Sequence, residues 1–162
     1  MNEMLIEYLD FAASDDSKDR SVINPIEAII KIKNDVHFRN HKIELEVLND
    51  EAATVNENVF VRSITNILNN AIDKAGRIII KAEVNSKMIK INIHDNGPGI
   101  DDEEKANVFK PFYRIDKSRN QNKTNSGLGL ATTKSLLGSI NGKISLHDSY
   151  LGGLEVAIVI QN

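Results

Sequence analysis

Cysteine is absent from all 162 residues. That excludes a disulfide framework and any thiolate metal site, and it suits a reducing compartment such as the cytosol. No apolar run approaches the length needed to cross a bilayer. The opening "MNEMLIEYLDFAASDD" is acidic and broken by charges, so it is neither a signal peptide nor a basic targeting helix. Basic residues are not in excess: the formal net charge is −3, which gives no general attraction for nucleic acid. No internal repeat is visible.

What remains is the composition of a soluble globular domain, with 41% hydrophobic and 27% charged residues in a chain of one-domain length. Met4, Leu5, Tyr8, Leu9 and Ala12 recur at helical spacing before "SDDSKDRS" breaks the pattern, so residues 1–20 read as the end of a helix cut from something longer. "PIEAIIKIKNDV" predicts a helix with Pro25 in its first turn, and "KIELEVL" alternates as a strand. From about Glu57 to Ala75, Ile64, Ile67, Leu68, Ala71 and Ile72 form one apolar arc of a long helix. "RIIIKAEV" and "KMIKINIH" predict a hairpin turning at Asn85 and Ser86. "DDEEKANVF" suits a short helix in which Asp101 caps and Glu104 reciprocates. A further helix starts near Leu128, and "KISLHD" and "LEVAIVI" close the chain as strands. The order predicts an α+β sandwich, with helices on one face of a mostly antiparallel or mixed sheet.

Four stretches carry chemistry. In "IHDNGPGI" a strand empties into Asp95, Gly97 and Gly99, which sets a carboxylate at the sheet edge while the glycines let backbone approach a flat ligand. A carboxylate accepts hydrogen bonds, and the exocyclic amine of adenine donates them. By itself "NGPG" is also ordinary turn chemistry. In "NSGLGLATTK" glycines at a helix mouth leave N–H groups and the positive dipole end free for phosphate. This is neither a Walker loop nor a dinucleotide fingerprint, because no Gly-Lys-Ser/Thr follows and Thr132 stands where a third glycine belongs.

In "NILNNAIDK", Asn66, Asn70 and Lys74 form a polar row beside the apolar arc. Mid-helix asparagine is unfavourable by propensity, and magnesium beside a triphosphate supplies a reason, since neutral amide oxygens complete its shell without repelling phosphate. The plainer alternative is asparagine on a wet face. The segment from Lys110 to Ser126 loses periodicity and carries Lys110, Arg114, Lys117, Arg119 and Lys123 against Asp116. It reads as a mobile basic flap over a phosphate site. Phe109, Phe112 and Tyr113 either anchor it or belong to the core.

In order and spacing these stretches resemble the catalytic ATP-binding domain of bacterial sensor histidine kinases. "NILNNA" looks like the N box, "DNGPG" the first glycine box, "FKPF" the F box and "GLGL" the second glycine box. The resemblance spans roughly residues 21–160, and the closing "NGKISLHDSYLGGLEVAIVI" further resembles osmosensor-type members. It implies a Bergerat-type two-layer sandwich over residues 21–162, with about five mixed strands and a mobile ATP lid. Residues 1–20 would be the remnant of a dimerisation helix. It also implies ATP and Mg2+ as cofactors, a response regulator as partner, and a cytoplasmic domain of an inner-membrane sensor.

Carried over by position, Asn70, helped by Asn66, would coordinate magnesium, and Asp95 would hold the adenine amine. Gly97, Gly99 and Ile100 would shape the base pocket. Arg114, Ser126 and the backbone of Gly127, Leu128, Gly129 and Leu130 would meet the phosphates, with Asp73, Lys74, Tyr113 and Ile115 completing the contacts.

Four positions depart from the family's pattern. Asp73 and Lys74 stand where a basic residue and then an aromatic are usual, Asn125 replaces a common glycine, and Ile140 occupies a histidine position. None of His37, His41, His94 or His147 has the His-Glu-x-x-x-Pro context of a phosphoacceptor, so the acceptor would lie on a histidine-bearing dimerisation domain outside this chain. Hydrolases of the same superfamily use a glutamate four residues before the magnesium asparagine, where this chain has Asn66, which cannot act as a base near neutral pH. Phosphoryl transfer is therefore favoured over hydrolysis, with a degenerate docking domain as a third alternative.

Overall fold

The computed structural model describes residues 5, 6, 9, 19–115 and 127–162. A short strand β1 (Ser21–Ile23) leads into helix α1 (Pro25–Asn34), strand β2 (Ile43–Asn49), short β3 (Ala53–Val55) and the long helix α2 (Glu57–Ile72). The hairpin of β4 (Ile78–Val84) and β5 (Met88–Asp95) follows, then α3 (Gly129–Ser139) and a second hairpin of β6 (Gly142–Asp148) and β7 (Leu154–Gln161).

Five strands form one mixed sheet in the order β2-β4-β5-β7-β6. Only β2 and β4 run parallel; the other neighbours are antiparallel. Alternation assigns the faces. Ile78, Ile80, Ala82 and Val84 of β4, Ile89, Ile91 and Ile93 of β5, and Val156, Ile158 and Ile160 of β7 all enter the core shared with the helices. The opposite face carries charge: Lys81 lies opposite Asn92, and Glu83 opposite Lys90. Arg77 forks onto Glu44 at 2.9 and 3.2 Å there, tying the start of β4 to edge strand β2. That ion pair holds the Glu44 carboxyl below its ordinary range and the guanidinium above its own.

Helix α2 starts where Asn56 accepts the Val59 N–H at 3.0 Å. Val59, Phe60, Ser63, Ile64, Ile67, Leu68 and Ala71 then face inward at alternating spacings of one and three or four. Each fully buried Ile or Leu stabilises the fold by about 1.5–3 kcal/mol. Asn24 caps α1 in the same way, with Pro25 in the first turn.

Two features differ from expectation. β1 and β3 pair as a separate antiparallel ribbon that the sequence does not announce, because three residues are too few to show alternation. The stretch from Asp101 is not an α-helix but successive turns ending in a 3-10 turn, Asn107–Phe109. Pro111 stops propagation just beyond it. The Glu104 carboxylate accepts the Tyr113 hydroxyl rather than returning to a cap. The dimerisation-helix remnant falls mostly on residues outside the described set, of which Leu5, Ile6 and Leu9 are helical and exposed. Most of the flap, residues 116–126, also lies outside it.

Candidate nucleotide-binding site

A cavity of about 570 Å³ opens between α2, the mouth of α3 and the ends of β5 and β7. That is within the roughly 300–1,000 Å³ of small-molecule sites. Its floor is core: Ile67, Ala71, Ile93, Val108 and Val156 line it, and all are buried.

Asp95 sits at the floor's polar end, only 8% exposed. Its Oδ1 accepts the Gly97 N–H at 2.8 Å and the Leu154 N–H at 3.1 Å, which fixes the carboxylate plane and leaves Oδ2 for a ligand donor. The next residue supports it from behind. Asn96 Oδ1 accepts the N–H groups of Gly76 and Arg77 at 3.0 and 2.9 Å, binding the turn after α2 to the end of β5.

Glycine is required here for close approach. A Cβ on Gly97 would meet Asp95 Oδ1 and the Lys74 carbonyl at 3.0 Å. Gly99 takes a positive φ of 71° that suits glycine, and it lines the cavity with Ile100 and Pro98.

Asn70 on α2 lines the cavity, together with Asp73 and Lys74 just past the helix's end. The Asn70 amide makes no hydrogen bond to another described residue and lies beside Gly129, whose Cβ would be 3.5 Å from Asn70 Nδ2. Asn66 does not line the cavity. Its Nδ2 donates to Thr133 Oγ1 on α3 at 3.4 Å, so one of the two expected metal ligands is engaged in pairing the helices.

Gly127, Gly129 and Leu130 line the mouth of α3, where the first-turn N–H groups have no partner within the helix. Leu128 is fully buried and anchors that mouth instead of facing the cavity. Gly127 has φ of 78°, and a Cβ there would stand 2.9 Å from the Phe112 carbonyl carbon. The Phe112 N–H donates to Gly127 O at 3.1 Å, so the two sides of the flap's base are joined.

Tyr113, Arg114 and Ile115 line the same cavity from the flap's root. Donation to Glu104 pushes the Tyr113 hydroxyl above its ordinary pKa. Tyr113 and Phe109 are half-buried and pack against the core, whereas the Phe112 side chain is exposed. Ser126 lies outside the described residues.

Of the expected set, therefore, Asn70, Asp73, Lys74, Asp95, Gly99, Ile100, Tyr113, Arg114, Ile115, Gly127, Gly129 and Leu130 share one cavity. Gly97 and Leu128 sit just behind it. Sequence reasoning missed the β7 side, Leu154 and Val156, and above all Gly153. A Cβ on Gly153 would come within 2.2 Å of Asp95 Oδ1. The one available signal was the doubled glycine before the last strand.

The family model for "Histidine kinase-, DNA gyrase B-, and HSP90-like ATPase" matches residues 55–162. Among curated proteins, the sensor histidine kinase CpxA of Escherichia coli K12 is 34% identical over 104 residues, 64% of this chain and 23% of its own length. The signal transduction histidine-protein kinase BaeS of the same strain is 28% identical over 126 residues, 75% of this chain and 27% of its own. The chain thus spans about a quarter of the length of these relatives.

Among solved structures, the catalytic domain of histidine kinase ThkA superposes with a TM-score of 0.75 at 22% identity, over 88% of this chain and 97% of that one. The ATP-binding domain of PrrB from Mycobacterium tuberculosis gives 0.73 at 19% identity, over 90% and 98%. The chain belongs to the histidine kinase-, DNA gyrase B- and HSP90-like ATPase family, as a catalytic ATP-binding domain of the kind found in sensor histidine kinases.

Proposed function

We propose that this domain binds Mg-ATP and transfers the γ-phosphoryl group to a histidine on a separate dimerisation domain, for relay to an aspartate of a response regulator. The observation that supports it most is the convergence of Asp95, Asn70 and the α3 mouth on one apolar-floored cavity. The free oxygen of Asp95 accepts the adenine amine while Ile67, Ile93 and Val156 cover the base. The helix-mouth N–H groups at Gly129 and Leu130, with the Arg114 guanidinium, hold phosphate oxygens.

The Asn70 amide oxygen, uncharged and at the cavity wall, fits a hard divalent cation, with Asn66 Oδ1 one turn away as helper. When bound, that cation neutralises charge on the phosphates. The residues of this chain then act by positioning: attack by the incoming imidazole nitrogen forms an N–P bond as the bond from the γ-phosphorus to the bridging oxygen breaks, and ADP leaves.

Hydrolysis is the weaker reading, since Asn66 offers no base and its amide is occupied by Thr133. Residues 1–20 would continue from the dimerisation domain, and the whole would face the cytoplasm from a membrane-anchored sensor. Two measurements test this. Titration with ATP should show binding that strengthens with magnesium. Radiolabelled γ-phosphate should pass to an added histidine-bearing dimerisation domain and not to this chain alone. Rapid hydrolysis by the isolated chain, abolished by Asn66→Ala, would overturn it.

A further inference from the structure

The outer face of the sheet is charged and wet, yet one ionisable side chain on it is buried. His94, on β5 immediately before Asp95, is 6% exposed. Strand alternation turns its ring away from the cavity while Asp95 turns toward it. What buries His94 is the β6–β7 turn. The Tyr150 ring covers the imidazole at 4.6 Å between centroids, and Lys81 Nζ stands 4.7 Å from the centre of the Tyr150 ring. His94 Nδ1 lies 3.3 Å from Ser149 Oγ, itself 8% exposed.

Ser149 organises the turn. Its Oγ accepts the Leu151 N–H at 3.1 Å, its main-chain oxygen accepts from Gly152 and its N–H donates to Gly153 O, both at 2.9 Å. The far end of the same turn presents the Gly153 N–H to Asp95 O at 3.2 Å and the Leu154 N–H to Asp95 Oδ1 at 3.1 Å. A continuous path of hydrogen bonds therefore runs from the imidazole, through the turn, to the cavity carboxylate.

We infer that His94 is a positioning residue for the base subsite: by holding Ser149 it sets the turn that orients Asp95 toward the adenine amine. This rests on the nucleotide reading above. The groups facing the ring fix its charge state. Glu155 Oε1 on β7 is 3.9 Å from Nε2, but it already accepts from Asn92 Nδ2 at 2.5 Å. Lys81 on β4, Glu46 on β2, Asp95 and Tyr150 surround the rest. Burial outweighs the nearby carboxylates and lowers the histidine's pKa, so the neutral ring holds Ser149 at neutral pH. Either neutral tautomer keeps the contact, Nδ1 accepting from the Ser149 hydroxyl or donating to its oxygen.

The test is calorimetric titration of the chain with ATP and with inorganic tripolyphosphate at pH 7.5, on wild type, His94→Phe, His94→Asn and Ser149→Ala. Phenylalanine keeps the stack on Tyr150 and loses the link. Asparagine places an amide near Nδ1 without a titrating charge. The expected result is ATP binding weakened about 3- to 10-fold in His94→Phe and Ser149→Ala, the worth of one hydrogen bond. Tripolyphosphate binding stays unchanged. His94→Asn, which restores a hydrogen-bonding group beside Ser149, keeps wild-type ATP affinity.

If His94→Phe does not fold, Ser149→Ala decides alone. His94→Phe or Ser149→Ala matching wild type toward ATP, equal losses for both ligands, or His94→Asn weakened as much as His94→Phe would each overturn the inference. Wild type that binds no ATP would instead overturn the nucleotide reading beneath it.

Discussion

Replacing Gly153 by alanine places a methyl carbon 2.2 Å from Asp95 Oδ1, 2.6 Å from Asp95 O and 2.6 Å from Gly97 N. Carbon and oxygen settle no closer than about 3.3 Å, so the β7 start and the carboxylate must part by about 1 Å. The Gly153 and Leu154 N–H bonds to Asp95, now 3.2 and 3.1 Å, cannot both survive that movement. Overpacking costs about 1–3 kcal/mol, and losing a bond to a charged acceptor about 1.5–3 kcal/mol. Together they predict about 2.5–6 kcal/mol of lost stability, or a Tm lower by roughly 5–24 °C for a domain of this size. With Asp95 displaced, ATP binding should weaken about 10- to 100-fold, while tripolyphosphate changes by less than about twofold. Scanning fluorimetry and calorimetric titration measure the two effects on one sample. Gly138→Ala on α3 is the control: nothing stands within 4 Å of its Cβ, so it should be neutral or stabilising by up to about 1 kcal/mol. A Gly153→Ala protein with wild-type Tm and ATP affinity would refute this account of the Asp95 cradle.

Asp95→Asn should weaken adenine nucleotides more than tripolyphosphate in competition titrations, and equal losses for both would remove the adenine assignment. Phe60→Ala, at a fully buried site on the inward face of α2, should cost about 3–5 kcal/mol in urea unfolding. Because burial lowers the His94 pKa in the folded state, the unfolded chain takes up the proton first as pH falls below the ordinary histidine value. Stability should therefore decline from about pH 6.5 downward and level off below the folded pKa, and His94→Asn should remove that component of the urea-midpoint profile.

The long elements were legible because burial imposed a period on them. α2 shows its inward arc over sixteen residues, and β4, β5 and β7 alternate across the core face. The polar signals were legible where residue type and position conflict: asparagine in mid-helix at Asn70, and a carboxylate closing an apolar strand at Asp95. Illegible were contacts made by backbone across long separations. Gly153 and Leu154 reach Asp95 from 58 and 59 positions further along the chain, with no local pattern to mark the meeting. Asn66 and Asn70 look equivalent on a helical wheel, yet α3 lies against one and the cavity against the other. The helix expected from Asp101 failed because its cap signature, Asp101 with Glu104, cannot reveal that Tyr113 takes the glutamate.

The cavity exists because three elements end at one level of the sandwich. Ile67 and Ala71, Ile93, and Val156 are members of the core, and a polar residue follows or precedes them where α2 and β5 leave it. The α3 mouth faces the same end, so carboxylate, amide and helix-mouth N–H groups meet over an apolar floor. A base seated there extends the core and binds only the folded state, so affinity and stability are linked. At ATP one hundred times above its Kd the native state gains about 2.7 kcal/mol. That predicts a Tm rise of roughly 5–10 °C for this length of chain. Asp95→Asn should show a smaller rise at the same ATP concentration. A wild-type Tm that does not move with ATP up to millimolar levels, at any magnesium concentration, would mean that the cavity floor is not a purine seat.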